Sequence, residues 1–422
     1  MTKQKYIILS FIGPILLLIY SNLQASSSSS ANDPFSQNKF LPGIALIIEG
    51  SLVHRPIDDK LVDSLEIPGC GPSKLDVNQN NGFNFNYGEL VLFAAIDPYF
   101  DLMTVFHLAG DSFEIEEAYA TTRRLPLGFK AKLGKFKSGF GRINEQHAHA
   151  WPFSYAPLIY RSFFGDEGLQ EIGMQLNWMA PTNFYLNFGI ESLQGENEAS
   201  LGTAGFVLFD ALSQKEFKVK TAPRPNTFTF FGKTSLDIGK IALLAGASYL
   251  LGKSRLNALD ATKDPYAFAG NTRIFGLNIT VKYIIDSYRY LSFQSEYLNR
   301  KMQGTRYEPL EQENFSAAFP FEKNQSGIYA QIVYRFHNLW RMGTRWDWLN
   351  TNQEKANGFT RQLPGNLHCF SFMIEYNPTE FSRIRVQYDI DRSAYLDGVR
   401  KNYGSLSVQL NLAIGAHAAH PF

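Results

Sequence analysis

The sequence predicts an all-β chain: a transmembrane antiparallel β-barrel of about sixteen strands with no plug domain. Three observations carry that prediction. The first is the last stretch of the chain. Leu406, Val408, Leu410, Leu412 and Ile414 alternate with Ser405, Ser407, Gln409, Asn411 and Ala413, and no acid or base occurs from Ser405 to His417. A period of two is the mark of a strand, whose side chains point alternately to its two faces. The run also covers the roughly 9–11 tilted residues that a strand needs to cross a bilayer. The second observation is that short turns alternate with long polar connections along the chain, the arrangement of outer-membrane barrels. The third is composition. Aromatic residues make up 14% and charged residues only 19%, which suits a wall with aromatic girdles. A mean hydropathy of -0.19 excludes a bundle of membrane helices. A net charge of +1 gives no field that would attract nucleic acid.

Taken in order, the chain opens on an export signal. Lys3 and Lys5 precede an apolar core, Ile7 to Tyr20, and Leu23-Gln24-Ala25 offers a small-residue cleavage site. An N-terminal anchor helix competes with this reading, and Pro14 and the shortness of the core weigh against it. Residues 1–25 are therefore expected to be a signal peptide, 26–40 a flexible polar lead-in and 41–422 the barrel. Export implies an oxidising compartment. Cys70 lies in a Gly/Pro loop and Cys369 in a strand, nothing in the sequence brings them together, and two thiols are the expected state.

Sixteen alternating segments follow: Ile44–Val53, Gly88–Ile96, Phe100–Leu108, Phe113–Thr121, Phe129–Lys137, Leu169–Ala180, Asn183–Leu193 and Thr227–Asp237 in the first half. Ile241–Leu251, Arg273–Ile285, Tyr288–Arg300, Gly327–Phe336, Trp340–Leu349, Leu367–Tyr376, Ser382–Asp391 and Gly404–Ala416 make the second. Asp97-Pro98, Pro181-Thr182, Asp286-Ser287 and Asn377-Pro378 are among the short turns between them. On the opposite side the connections are expected at 54–87, 109–112 (a short one), 138–168, 194–226, 252–272, 301–326, 350–366 and 392–403. An even strand number puts both termini on the short-turn, periplasmic side. The faces separate cleanly: Ile384, Val386, Tyr388 and Ile390 oppose Arg383, Arg385, Gln387 and Asp389. A soluble sandwich has the same period, but it does not account for the signal, the turn asymmetry and the terminal Phe422 together. The fourth strand, with Glu114, Glu116 and Glu117, breaks the alternation. Phe422 is expected to be the assembly signal read by the barrel assembly machinery.

The third long connection is the main functional suspect. It follows a strand carrying Lys130, Lys132, Lys135 and Lys137, and it is too long and too aromatic for a plain surface loop. Folded into the lumen it would narrow a pore, with Lys130, Lys132, Lys135, Arg142, Glu145 and Trp151 at the constriction. The lysines would give an anion preference, unless they only balance Glu89, Glu191, Glu296, Glu375 and Asp389 elsewhere in the lumen. His147 and His149, with Glu145, are of the types that ligate a transition metal, although hydrogen-bonded packing is the simpler account of them. His417 and His420 form a second candidate pair, weakened by falling on opposite faces of an extended strand. No HExxH, zinc-finger, P-loop or G-x-S-x-G pattern occurs, so no enzyme is expected. No cofactor is expected other than zinc at these histidines.

The segments Gly134-Lys135-Phe136, Gly139-Phe140-Gly141, Asn144 to Phe153, Ala156-Pro157-Leu158, Phe163 and Gly168 form one distinctive pattern. Glu380 to Tyr388 and the tail Ile414 to Phe422 form two more. Together they resemble the bacterial outer-membrane proteins labelled zinc-regulated TonB-dependent outer membrane receptors, over essentially the whole mature chain. The region of the fifth strand is more loosely similar to phosphate-selective porins. A TonB-dependent receptor needs a 22-strand barrel around a plug, and a first strand at Ile44 leaves no room for a plug. The resemblance thus implies an outer-membrane barrel linked to zinc status. The function expected is passive diffusion of small hydrophilic solutes through a channel narrowed by the third loop; the alternative is a zinc-responsive metal-binding receptor or uptake protein. The partners expected are outer-membrane lipid and small solutes or ions. Trimers are common among sixteen-strand porins, so a homotrimer is allowed for.

Overall fold

Alternation of apolar and polar residues produces strands only where neighbours complete the hydrogen-bond ladder, and in lipid that ladder has to close on itself. In the computed structural model it does. The structure describes residues 42–70, 80–110, 112–197, 199–210, 215–258, 266–309 and 315–415. The strands of the first half are β1 Gly43–His54, β2 Gly82–Ala95, β3 Phe100–Ala109, β4 Ser112–Thr122, β5 Phe129–Lys137, β6 Gln170–Met179, β7 Tyr185–Leu193 and β8 Thr227–Ile238. Those of the second are β9 Ile241–Ala258, β10 Tyr266–Ile284, β11 Tyr290–Pro309, β12 Phe315–Arg335, β13 Trp340–Ala356, β14 Leu367–Thr379, β15 Ser382–Asp391 and β16 Tyr403–Gly415. Each pairs antiparallel with its successor, and β16 closes on β1 from Ala45↔Gly415 to His54↔Leu406. The sheet counts seventeen strands, but Phe359–Gln362 pairs only with the outer end of β13, so sixteen strands form the closed wall. The alternating run at the end of the chain is therefore the closing strand.

Burial is inverted relative to a soluble protein. Ile384, Val386, Tyr388, Leu406, Leu410 and Leu412 are exposed on the outside, whereas Arg300, Arg345 and Arg385 are among the largest fully buried side chains. That inversion excludes the sandwich. Aromatic side chains gather near the strand ends, as at a membrane interface: Trp340 lies 4.7 Å from Tyr376 between ring centroids. Trp178 Nε1 donates to the Leu127 carbonyl at 3.1 Å, beside a short turn.

The structure corrects the sequence reading in two places and explains it in a third. β9 to β13 run much further than predicted, and much of 252–272 and 301–326 is strand. There the outward positions turn polar (Lys253, Lys301, Gln303, Glu322) while Phe268, Met302 and Phe321 pack on the inner side, so the apolar-out alternation is lost while the ladder continues. β2 likewise begins at Gly82, within the connection expected at 54–87. The third place is the fourth strand: opposite Val105 and Phe106 the register shifts, and Val105 pairs with Glu117 while Phe106 pairs with Ile115. This bulge takes Glu116 out of the ladder. Phe113 and Ile115 face outward and exposed, while both Glu116 and Glu117 turn inward, so neither faces lipid. Cys70 and Cys369 are free thiols, both buried in the apolar cluster of the lumen. The signal peptide and lead-in, His417, His420 and Phe422 lie outside the described residues.

Candidate functional site

A loop can leave water and enter a barrel only if its backbone groups find partners there. The connection between β5 and β6, residues 138–169, here called L3, does so around the whole inner wall. At its start Ser138 Oγ and the Gly139 N–H donate to Glu191 on β7, the latter at 2.8 Å. Lys233 on β8 donates to the Gly141 carbonyl at 2.8 Å, and Ser248 on β9 accepts from the Gly141 N–H at 3.0 Å. Glu296 on β11 accepts from the N–H groups of Arg142 and Ile143 at 2.8 and 2.9 Å. Gly141 has a φ of 70°, and a Cβ there would lie 2.0 Å from Tyr160 Oη, so only glycine allows this close approach.

Further along, arginines of the wall take the loop's carbonyls. Arg383 donates to His149 O at 2.7 Å, Arg385 to Trp151 O at 2.8 Å and Arg345 to Tyr155 O at 2.8 Å. The Ser154 N–H donates to Gln387 at 3.0 Å and its hydroxyl to Gln409 at 2.9 Å. Asp347 accepts from the Leu158 N–H at 3.0 Å and thereby fixes the start of a short helix, Leu158–Phe164. Gly165, at a φ of 80°, ends that helix. Its apolar side chains (Leu158, Ile159, Phe163 and Phe164) pack with Leu250, Ile274, Leu298 and Leu349 of the inner wall in one buried cluster. The Tyr160 phenol donates to Glu296 at 2.7 Å; burial and the neighbouring Glu296 carboxylate raise its pKa, so it stays a donor.

L3 is thus an inner collar, and most of the wall charges hold its backbone. Glu191 thus holds L3 while its carboxylate also lies in the field of Lys132 on β5. Of the six residues expected at the constriction, L3 carries Arg142, Glu145 and Trp151 into the lumen. Lys132 stays on the wall, its ammonium 4.5 Å from the centroid of the Tyr119 ring, and Lys130 is exposed. Lys135 departs from the set. It sits where the β4–β5 ladder ends, donates to Ile115 O at 2.7 Å and lines a cavity beside Glu116 and Lys137.

The histidines come together as predicted, with ring centroids 5.6 Å apart, but their expected partner does not join them. Glu145 points away and pairs with Lys233 at 2.6 Å. Three acids of the wall replace it. His147 Nε2 lies 2.9 Å from Glu117 Oε2, His147 Nδ1 lies 3.5 Å from Glu116 Oε1, and His149 Nδ1 lies 3.0 Å from Glu89 Oε2. Lys137 completes the cluster at 3.0 Å from Glu116. Burial alone would lower the His147 pKa, but the bonds to Glu116 and Glu117 outweigh it and push it up to about 10. The sequence did hold a signal for two of these acids: adjacent glutamates that break a strand's alternation are the mark of a bulge.

Cavities lie beside L3. One, of about 530 Å³, is lined by Glu49, Glu89, Glu116, Lys137, Asp389 and Ser407 among others. The second, of about 920 Å³, is lined by Glu167, Glu196, Arg224, Arg300 and Lys323 among others.

No family model matches the chain. An uncharacterized protein of Aquifex aeolicus (strain VF5) is 47% identical over 394 residues, 92% of this chain and 81% of that protein. Among solved structures, in-vitro folded OmpT, an outer membrane protein of Vibrio cholerae, superposes with a TM-score of 0.51 at 10% identity, covering 88% of this chain and 97% of that one. Its trimer form gives a TM-score of 0.50 at 10% identity, with 89% and 99% covered. The outer membrane channel DcaP of Acinetobacter baumannii gives 0.51 at 10% identity, with 90% and 99% covered. These likenesses establish the fold. The closed wall, the apolar outer face and the charged interior place the chain in a bacterial outer membrane. A sixteen-strand wall is not the architecture of a TonB-dependent receptor, and that part of the resemblance is not supported.

Proposed function

This chain belongs to one family with the Aquifex aeolicus protein, and we propose that it forms a porin-like channel for passive diffusion of small hydrophilic solutes, narrowed by L3. The observation that carries this reading is L3 itself. The loop is fastened inside a barrel by tethers from nearly every side, and the space left beside it is lined by charged groups. Charge on the wall of a narrow aqueous path is what selects solutes in channels. The fold shared with the channel DcaP supports the reading. We read the chain as a transport protein and not an enzyme, because the buried acids and histidines described here are engaged with the loop.

Planar-bilayer recording of the purified protein tests this. Discrete, ohmic steps are expected at neutral pH in molar salt. A folded protein that gives no steps and no swelling of solute-loaded liposomes would mean that L3 plugs the barrel, and the protein would then be structural. We further propose a homotrimer, supported by the likeness to the trimer form of OmpT. Native mass measurement in detergent is expected to return three copies; a monomer would end that proposal.

A further inference from the structure

We propose that Glu89, Glu116 and His147 form a site for one divalent transition-metal cation, clipping L3 to the wall. The site goes beyond the channel reading and does not depend on it. A ligand atom from each of the three residues lies within 4.8 Å of the other two. Metal–ligand distances of roughly 2.0–2.2 Å would close that span with small side-chain shifts.

The surrounding groups are arranged as a supporting shell. Glu117 Oε2 holds His147 Nε2 at 2.9 Å, the carboxylate–imidazole pairing that orients metal-binding histidines. It directs the other ring nitrogen, Nδ1, toward Glu116 and Glu89, at 3.5 and 3.8 Å. Lys137 and His147 approach Oε1 of Glu116, whereas Oε2 is buried and accepts no hydrogen bond among the described residues. Glu89 is 2% exposed and is steadied by His149 at 3.0 Å. Lys137 and the His147 proton offset the charge of Glu89, Glu116 and Glu117, and a dication bound at Nδ1 would take the place of that proton.

The donor set indicates the class of ion. An imidazole among carboxylates suits zinc, cobalt, nickel or copper, while calcium and magnesium take oxygen ligands. Access is available, because Glu89 and Glu116 line the cavity of about 530 Å³. The ligands also come from separate elements: β2, β4 and L3. Neither the wall nor the loop has the site alone, so an ion bound there ties the two together.

The test uses the full-length barrel in detergent, stripped with a chelator and titrated with Co²⁺, with zinc competition. The double variant His417→Ala/His420→Ala serves as background, so that the tail histidines do not report. One equivalent is expected, with a d–d absorption band that zinc abolishes. Glu116→Gln and His147→Gln should each weaken binding about tenfold or more, while Glu145→Gln should bind like the background protein. Heat-modifiable migration on gels shows which variants are folded. If Glu116→Gln and His147→Gln do not fold, X-ray absorption of the cobalt-loaded background protein decides. A single imidazole among oxygen ligands supports the site, and any other ligand set overturns it. A folded background protein that binds no cobalt or zinc, or equal binding by both folded variants, also overturns it. Conductance is not among the readouts, so failure here leaves the channel reading intact.

Discussion

Deleting residues 144–163 is expected to raise the single-channel conductance several-fold and to weaken discrimination between small and large solutes. The deletion removes all but the last residue of the helix Leu158–Phe164 and the carbonyls of His149, Trp151 and Tyr155, which occupy the lumen. The arginines that lose these partners do not pay the full penalty of a buried unpaired charge. Once the loop is gone, water enters and solvates Arg345, Arg383 and Arg385, and Glu375 still pairs with Arg385 at 3.1 Å. The wall does not depend on L3 either, because its ladder is complete from β1 to β16. The barrel should therefore still insert. Planar-bilayer recording with polyethylene glycols of graded size is the measurement. Conductance and size cutoff equal to those of the intact protein would remove L3 from the pathway.

Glu296→Ala is the second change with a large expected effect. One carboxylate accepts from the N–H groups of Arg142 and Ile143 and from the phenols of Tyr160 and Tyr329, the last at 2.6 Å. Alanine leaves four buried donors without that acceptor, and each unsatisfied donor costs roughly 1–3 kcal/mol. Water recovers part of this where it can enter. The first turn of L3 should detach while the barrel stays folded, since β11 keeps its ladder to β10 and β12. The expected outcome is trypsin cleavage after Arg142 or Arg161 in reconstituted protein, together with noisy, larger current steps. Glu296→Gln keeps an acceptor oxygen and should be intermediate. A trypsin pattern in Glu296→Ala identical to that of the unmodified protein would show that the apolar packing of the helix holds L3 unaided.

Much of the barrel was legible because bilayer and lumen impose opposite demands on successive residues. Phe372, Ile374 and Tyr388 had to alternate with Ser371, Glu375 and Asp389, and that pattern located sixteen strands and their closure. Legibility ended where the bilayer ended. Beyond Leu251 and Arg300 both faces meet water or loops, so nothing in the residue order separates strand from connection. The loop's entry into the lumen was suggested by the length and aromatic content of 138–168. Its partners were not, because each tether joins residues far apart in the chain, as Ser154 joins Gln409 across a separation of 255 positions.

The sequence by itself determined the strands, the faces and the presence of a large loop at 138–168, since these follow from local alternation and turn chemistry. It also indicated that His147 and His149 belong together. Only the tertiary structure decided what meets them. The neighbouring acid in sequence, Glu145, goes to Lys233, and Glu89, Glu116 and Glu117 arrive from β2 and β4. The physical reason is that closing the barrel, with one bulge in β4, sets which wall positions face one point of the lumen. That is a property of register and closure, which no local pattern of residues records.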